Sequence, residues 1–191
     1  NGTVILEPTT IENTTISGNG GDGIWTRSSM SITGCNITRN EKNGIRGSYS
    51  GGSTTIQNSN ISHNSGDGIG SDSSVEITGC DITWNEGNGV ITPKSVNMTV
   101  SHSNVRNNTF NGLAGTGSVE YSNVSGNNRW GILGNFTIEY YNSITWNHGG
   151  GFNGTGSIYW SSIFNNTLYG GYDAVADIWP NNITAAYNWW G

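Results

Sequence analysis

One asparagine recurs along this chain and limits what it can fold into. Asn19, Asn40, Asn64, Asn85, Asn108, Asn127, Asn147 and Asn166 follow one another at intervals of 21, 24, 21, 23, 19, 20 and 19 residues. Four positions after each stands a glycine, from Gly23 to Gly170, and three before each an isoleucine or valine, from Ile16 to Ile163. Self-similarity at a period of about 20 residues marks a solenoid, in which equivalent residues of successive windings stack into columns. A residue type present in every winding is therefore scaffold before it is chemistry.

The apolar positions decide between helix and strand. Val75, Ile77, Cys80 and Ile82 point one way, and Glu76, Thr78, Asp81 and Thr83 the other. Alternation with a period of two means strands. Gly79 reads as a bend between two of them. Asn-Gly pairs at Asn43, Asn88 and Asn111 and Asp-Gly pairs at Asp22 and Asp67 supply turn chemistry. No sustained 3.6-residue period occurs, so the chain is read as all-β.

Each coil cannot bury its inner face alone, so inner columns are built from like residues. One runs Ile11, Ile32, Ile56, Ile77, Val100, Val119 and Ile158, and another Ile24, Ile45, Ile69, Val90, Leu113, Ile132 and Phe152. The repeated asparagine is expected to belong to the turns and to bond its amide to the coils above and below; asparagine also tolerates the left-handed backbone of a tight turn. Cys35 and Cys80 share a small-residue column two turns apart, with Ser59 between them. Two windings separate them by about 9–10 Å, too far for a disulfide, so two buried free thiols are predicted.

The repeat resembles the right-handed parallel β-helix of pectate-lyase-like proteins and of secreted archaeal and bacterial surface proteins. It covers Ile11 to Gly170, and the ending Ala185 to Gly191 is similar to a closing turn of such surface proteins. The resemblance implies one right-handed, single-stranded parallel β-helix domain over residues 1–191, of about nine coils and about 40 Å long. It says little about activity.

Two irregularities stand out. The seventh turn holds one extra residue between Ile138 and Asn147, and Pro180 falls where an inner aliphatic is expected. Composition also breaks: 17 aromatics lie from Phe110 onward, and only Trp25, Tyr49 and Trp84 before it. The stretch from Phe110 carries just five charged residues: Glu120, Arg129, Glu139, Asp173 and Asp177.

Candidate sites are few. Eleven Asn-x-Ser/Thr sequons occur, at Asn1, Asn13, Asn36, Asn60, Asn97, Asn107, Asn123, Asn135, Asn153, Asn165 and Asn182. Asn36, Asn60 and Asn123 share an outward column with Asp81, where a glycan leaves the core undisturbed. Trp130, Trp146 and Tyr169 fall in outward or turn columns, and Trp189 and Trp190 close the chain; these five are candidate interaction residues for sugar or protein. Asp22 and Asp67 are two turns apart, at the far edge of the separation used by inverting glycosidases. They also occupy the slot held by Asn43, Asn88 and Asn111, which makes them turn residues. His63, His102 and His148 lie in different turns with no ligand spacing around them, so no metal and no cofactor is expected.

Net charge is −6, with two lysines and five scattered arginines, which disfavours nucleic acid. No apolar run is long enough to insert in a membrane. The chain starts at Asn1 without an initiator methionine or signal, as a processed chain or an excised segment does. Open strand edges at both ends would recruit other strands, giving a homo-oligomer by head-to-tail or lateral stacking. Two functions follow as expectations. The first is a non-catalytic, glycosylated extracellular protein that self-assembles into a surface layer, sheath or filament. The second is a carbohydrate-active enzyme or sugar-binding module of the lyase or hydrolase kind.

Overall fold

A computed structural model describes residues 9–47, 52–167 and 178–190, with the backbone alone at 178–186, 189 and 190. All described regular structure is strand, and every pairing between strands is parallel. The three-residue strands Thr15–Ser17, Asn36–Thr38, Asn60–Ser62 and Asp81–Thr83 open a nine-stranded sheet that continues to Trp189–Trp190. A thirteen-stranded sheet forms the rest of the wall. Its register pairs Ile11 with Ile32, Ile32 with Ile56, and Ile77 with Val100, as the column reading requires. Ile32, Ile37, Ile56, Ile61, Ile77 and Ile82 are wholly buried. The coil is held from within by stacked aliphatic side chains, each removing apolar area from water.

The asparagine column is a continuous amide ladder. Asn64 Nδ2 donates to Asn85 Oδ1 at 3.0 Å and to the Ile37 carbonyl at 3.2 Å, while its Oδ1 accepts from Asn40 Nδ2 and from the Asn40 backbone N–H. Every hydrogen-bonding group of that buried amide is used, which offsets the cost of removing it from water. The glycine four residues on is the complement of this ladder. A Cβ on Gly44 would sit 2.8 Å from Asn64 Nδ2 and 2.6 Å from Ile61 Cγ2. The missing side chain leaves room for the next coil's asparagine and isoleucine.

The ladder asparagines do not use the left-handed backbone they tolerate; the residue before each carries it, as at Arg39 (φ 56°), His63 (57°), Trp84 (59°) and Trp146 (59°). Three expectations need correction. The eight ladder asparagines are joined by seven amide-to-amide bonds, so about seven complete turns are described. The count of nine took partial coils at the ends as whole. Pro180 does not stand in the aliphatic slot: Ile178 pairs with Phe152, and Pro180 pairs with Gly154 at a register shift, where a strand tolerates a residue without an N–H. The small-residue column also admits an asparagine, because Asn142 Oδ1 accepts the Ser122 N–H at 2.9 Å.

The two halves build their coils differently. Early coils break the long wall into two short strands, such as Ile24–Thr26 and Met30–Thr33. From the fifth coil the pair fuses into Leu113–Glu120, Trp130–Glu139 and Gly150–Tyr159. Residues 92–96 form the last connecting loop before the fusion. Glycines at Gly115 (φ 145°) and Gly134 (φ 134°) then turn the corner inside a continuous strand.

Candidate functional site

The outer face of the long wall carries a shallow groove running with the coil axis. One segment of about 500 Å³ is lined by Arg46, Asp67, Gly70, Asp72 and Pro93. It shares Ile91 and Thr92 with a second segment of about 580 Å³, which adds Lys94, Ala114, Leu133, Asn135 and Asn153. The second in turn shares Thr116 and Asn135 with a third. Strand register explains the floor. Arg46, Gly70, Ile91, Ala114, Leu133 and Asn153 are successive partners in one outward column. The loop at Pro93 and Lys94 forms the rim, because proline ends the strand there.

Asp67 has two faces. Its Oδ1 accepts from the Asn88 backbone N–H at 2.7 Å and from Asn88 Nδ2 at 2.8 Å, the turn role expected from its spacing. Asp22 does the same for the Asn43 N–H at 3.0 Å, and Asn43 for the Asp67 N–H at 2.8 Å. The other Asp67 oxygen lies on the Gly70 side, within the groove.

The remaining predicted positions are dispersed. Asn13, Asn36, Asn97, Asn135 and Asn165 are exposed, and Asn60, Asn107, Asn123 and Asn153 half-buried. Asn60 Nδ2 donates to Asn36 Oδ1 at 2.8 Å, so the outward column is a second, external ladder. Asn123 Oδ1 is buried without a hydrogen-bond partner. Asn1 and Tyr169 lie outside the described residues, as do the side chains of Asn182, Trp189 and Trp190. Trp130 is half-buried with its ring over Gly150, in the slot where earlier coils carry Asn or Asp. Trp146 is 62% exposed at a left-handed bend.

The structure assembles an aromatic row that the outward-column reading missed. His102, Tyr121, Tyr140, Trp160 and Tyr187 stack in order, with ring centroids 4.9, 5.8, 5.8 and 5.5 Å apart. All five sit at one left-handed bend, with φ between 46° and 59°. In earlier coils the same bend holds Asn13, Gly34, Asn58 and Gly79, so extending the Gly79 bend coil by coil is the signal that finds it.

The two cysteines are free and buried. Burial pushes the Cys80 thiol up to about 11, which makes it an unreactive packing group. Among the described residues no three His, Cys, Asp or Glu side chains come together as a metal site would require.

Known proteins agree with this architecture. A family model described as a right-handed beta helix region matches residues 3–129. The solved structure of pectate lyase Pel9A is similar over 91% of this chain and 52% of its own, at 17% identity and a TM-score of 0.65. A periplasmic alginate epimerase, AlgG, is similar over 96% of this chain and 51% of its own, at 16% identity and 0.69. The A-module of the Azotobacter vinelandii mannuronan C-5 epimerase AlgE6 is similar over 94% and 57%, at 12% identity and 0.59. The chain thus spans little more than half the length of these structures, and at such identities the likeness is one of fold. A search of curated proteins gives no significant match. By the family match and by its wound parallel sheets, the chain belongs to the right-handed β-helix family.

Proposed function

We infer that this protein is a carbohydrate-active β-helix module that holds a linear uronic-acid polysaccharide along the groove of its long wall. The carrying observation is the groove itself: it is continuous over several coils, open to an extended chain, and has Arg46 and Lys94 among its lining residues. A guanidinium binds a carboxylate bidentately, and an ammonium adds a point charge. Thr92, Thr116, Asn135 and Asn153 offer hydrogen bonds to ring hydroxyls. The three similar structures are named for action on pectate, alginate and mannuronan, which favours this second expectation over the self-assembling coat. A periplasmic or extracellular location suits such a ligand, and one of those structures is described as periplasmic.

The reading constrains the sequons. Asn135 and Asn153 line the groove, so a glycan there and a bound polysaccharide exclude each other. Asn13, Asn36 and Asn165 are exposed away from the groove lining and are the positions proposed to carry glycan.

Titration of the protein with oligogalacturonate and oligomannuronate tests the proposal. Arg46→Ala with Lys94→Ala should weaken binding at least about tenfold, the loss of one charged contact or more. Unchanged affinity in that double variant overturns it. Ultraviolet absorbance during the incubation reports unsaturated product, and its rise would add cleavage to the binding role.

A further inference from the structure

The seventh coil departs from every other described coil at one bend. Its extra residue sits in the bend between the long strand and the short one, where Tyr140 (φ 59°) and Tyr141 (φ 60°) are both left-handed. All other described coils use a single left-handed residue there. For a side chain with a Cβ this backbone costs about 1–2 kcal/mol per residue, and bulky residues rarely adopt it. The chain is rich in glycine and asparagine, which would relieve that strain, and uses both at this bend in earlier coils. Strain that persists in a packed scaffold clusters at functional positions.

The insertion is firmly anchored. Asn142 Nδ2 donates to the Val119 carbonyl at 3.0 Å and the Glu139 carbonyl at 2.6 Å, and its Oδ1 takes the Ser122 N–H. The Tyr141 N–H donates to the Trp160 carbonyl at 2.6 Å. The anchored bulge pushes the Tyr141 ring out to 74% exposure, tilted 34° from Tyr121 rather than stacked in the row. The rings of the row cover one another's faces, whereas Tyr141 keeps a face open. That ring borders a cleft of about 340 Å³ shared with Trp160, Tyr187, Phe164, Ser143 and Ser162.

We propose that this cleft is a second carbohydrate site, one that takes a neutral hexose residue of a glycan, with Tyr141 as its stacking platform. The chemistry of the lining selects the class. Among the described residues none bordering the cleft is charged, so a uronate carboxylate or a phosphate would lose its hydration without a counter-ion. An aromatic face beside serine hydroxyls suits a pyranose ring, which presents C–H groups on one face and hydroxyls at its rim. The row advances about 4.8 Å per coil, close to the rise of one sugar in an extended glycan. The ring edges of Trp160 and Tyr187 therefore continue the site toward neighbouring sugars. This site lies on the opposite side of the bend from the Arg46 groove, and neither depends on the other.

The test compares Tyr141→Gly with the unmodified chain, using cellohexaose, mannohexaose and maltohexaose as neutral probes and an oligogalacturonate hexamer as the acidic one. Glycine accepts the left-handed backbone and, unlike asparagine, makes no Asn-x-Ser sequon with Asn142 and Ser143, so the bend survives while the ring is lost. Calorimetric titration should show neutral-probe affinity reduced at least tenfold and oligogalacturonate affinity unchanged. Arg46→Ala should show the reverse pattern, which separates this proposal from that of the groove. Ser162→Trp, which fills the cleft and leaves the bend alone, should match the loss seen in Tyr141→Gly and serves if that variant does not fold. Neutral probes that fail to bind the unmodified chain at millimolar concentration overturn the proposal. So does neutral-probe binding in both variants equal to that of the unmodified chain, or a dimer in sedimentation that Tyr141→Gly dissolves, since the patch would then be a self-interface.

Discussion

The N-terminal coils and the C-terminal coils share one ladder and one core but differ in how they turn their corners. Up to the loop at residues 92–96 each coil breaks its long wall with a connecting segment, and the ladder interval is 21 to 24 residues. From Leu113 on the wall is a single strand per coil, and the interval falls to 19 or 20. The missing residues are those of the loop, replaced by glycine corners at Gly115 and Gly134. The surfaces diverge with the backbones. Charged residues gather on the looped half, where the loop and column positions form the Arg46 groove. Aromatics gather on the fused half, where the bend column becomes a stacked row. A solenoid can thus change its exterior coil by coil while the interior repeats, because each coil contacts only its neighbours.

Substitutions at paired positions can break that comparison. The largest effect is expected at a glycine corner. A Cβ on Gly134 would be driven into the Gly115 carbonyl oxygen of the adjacent coil, at a φ of 134°. Gly134→Ala should cost on the order of 4 kcal/mol in urea unfolding. Gly70→Ala, in the looped half, meets nothing closer than 3.7 Å and should be nearly neutral. Equal costs would mean the fused strands do not rest on their glycines.

The ladder comes next. Asn85→Ala removes the acceptor of the Asn64 N–H and amide and the donor to Asn108 and to the Ile61 carbonyl, a loss of about 3 kcal/mol. Asn147→Ala should cost the same within about 1 kcal/mol, since the ladder runs unbroken through both halves. A larger gap between the two would show that the halves fold as separate units.

A smaller effect concerns pH. The folded Cys80 value is raised from 9.0 to about 11 by burial, so its ionised form is disfavoured in the fold. Stability from this group is complete below pH 9 and is lost as pH rises from about 9 toward about 11. The loss is roughly 2 kcal/mol, read as the difference between the chain and Cys80→Ala in unfolding at pH 8 and pH 11. A flat difference across that range would place the thiol at the surface. The smallest effect belongs to Asp22→Asn with Asp67→Asn. Asparagine offers the same acceptor to the next coil's N–H, as Asn43 already does, so the midpoint should move by less than about 0.5 kcal/mol.

Much of this architecture was readable from residue spacing. The Ile, Asn and Gly columns, the buried thiols and the turn role of Asp67 all follow from periodicity, because stacking forces equivalent residues into equivalent surroundings. The sites were less readable. Trp130, Trp146 and Tyr169 stand out in the sequence as aromatics in outward or turn columns, and Trp130 and Trp146 do occupy turn columns, outside the stacked row. Tyr121, Tyr140 and Trp160 were passed over, although they share a bend with Gly79. Residue type misled there: a bulky aromatic is not expected in a left-handed bend, so these positions do not advertise their column.

The winding, the register of the inner columns and the identity of the ladder are written in the residue order, since those depend on hydrophobic period and on amides that must satisfy one another at each step. Where loops close into a groove, which rings meet, and the outward turn of Tyr141 at the extra residue of the seventh coil emerge only once the coils are stacked. Those outcomes depend on distances between coils some 20 residues apart in sequence, and a repeat pattern carries the period of such contacts but not the shape of the surface they leave.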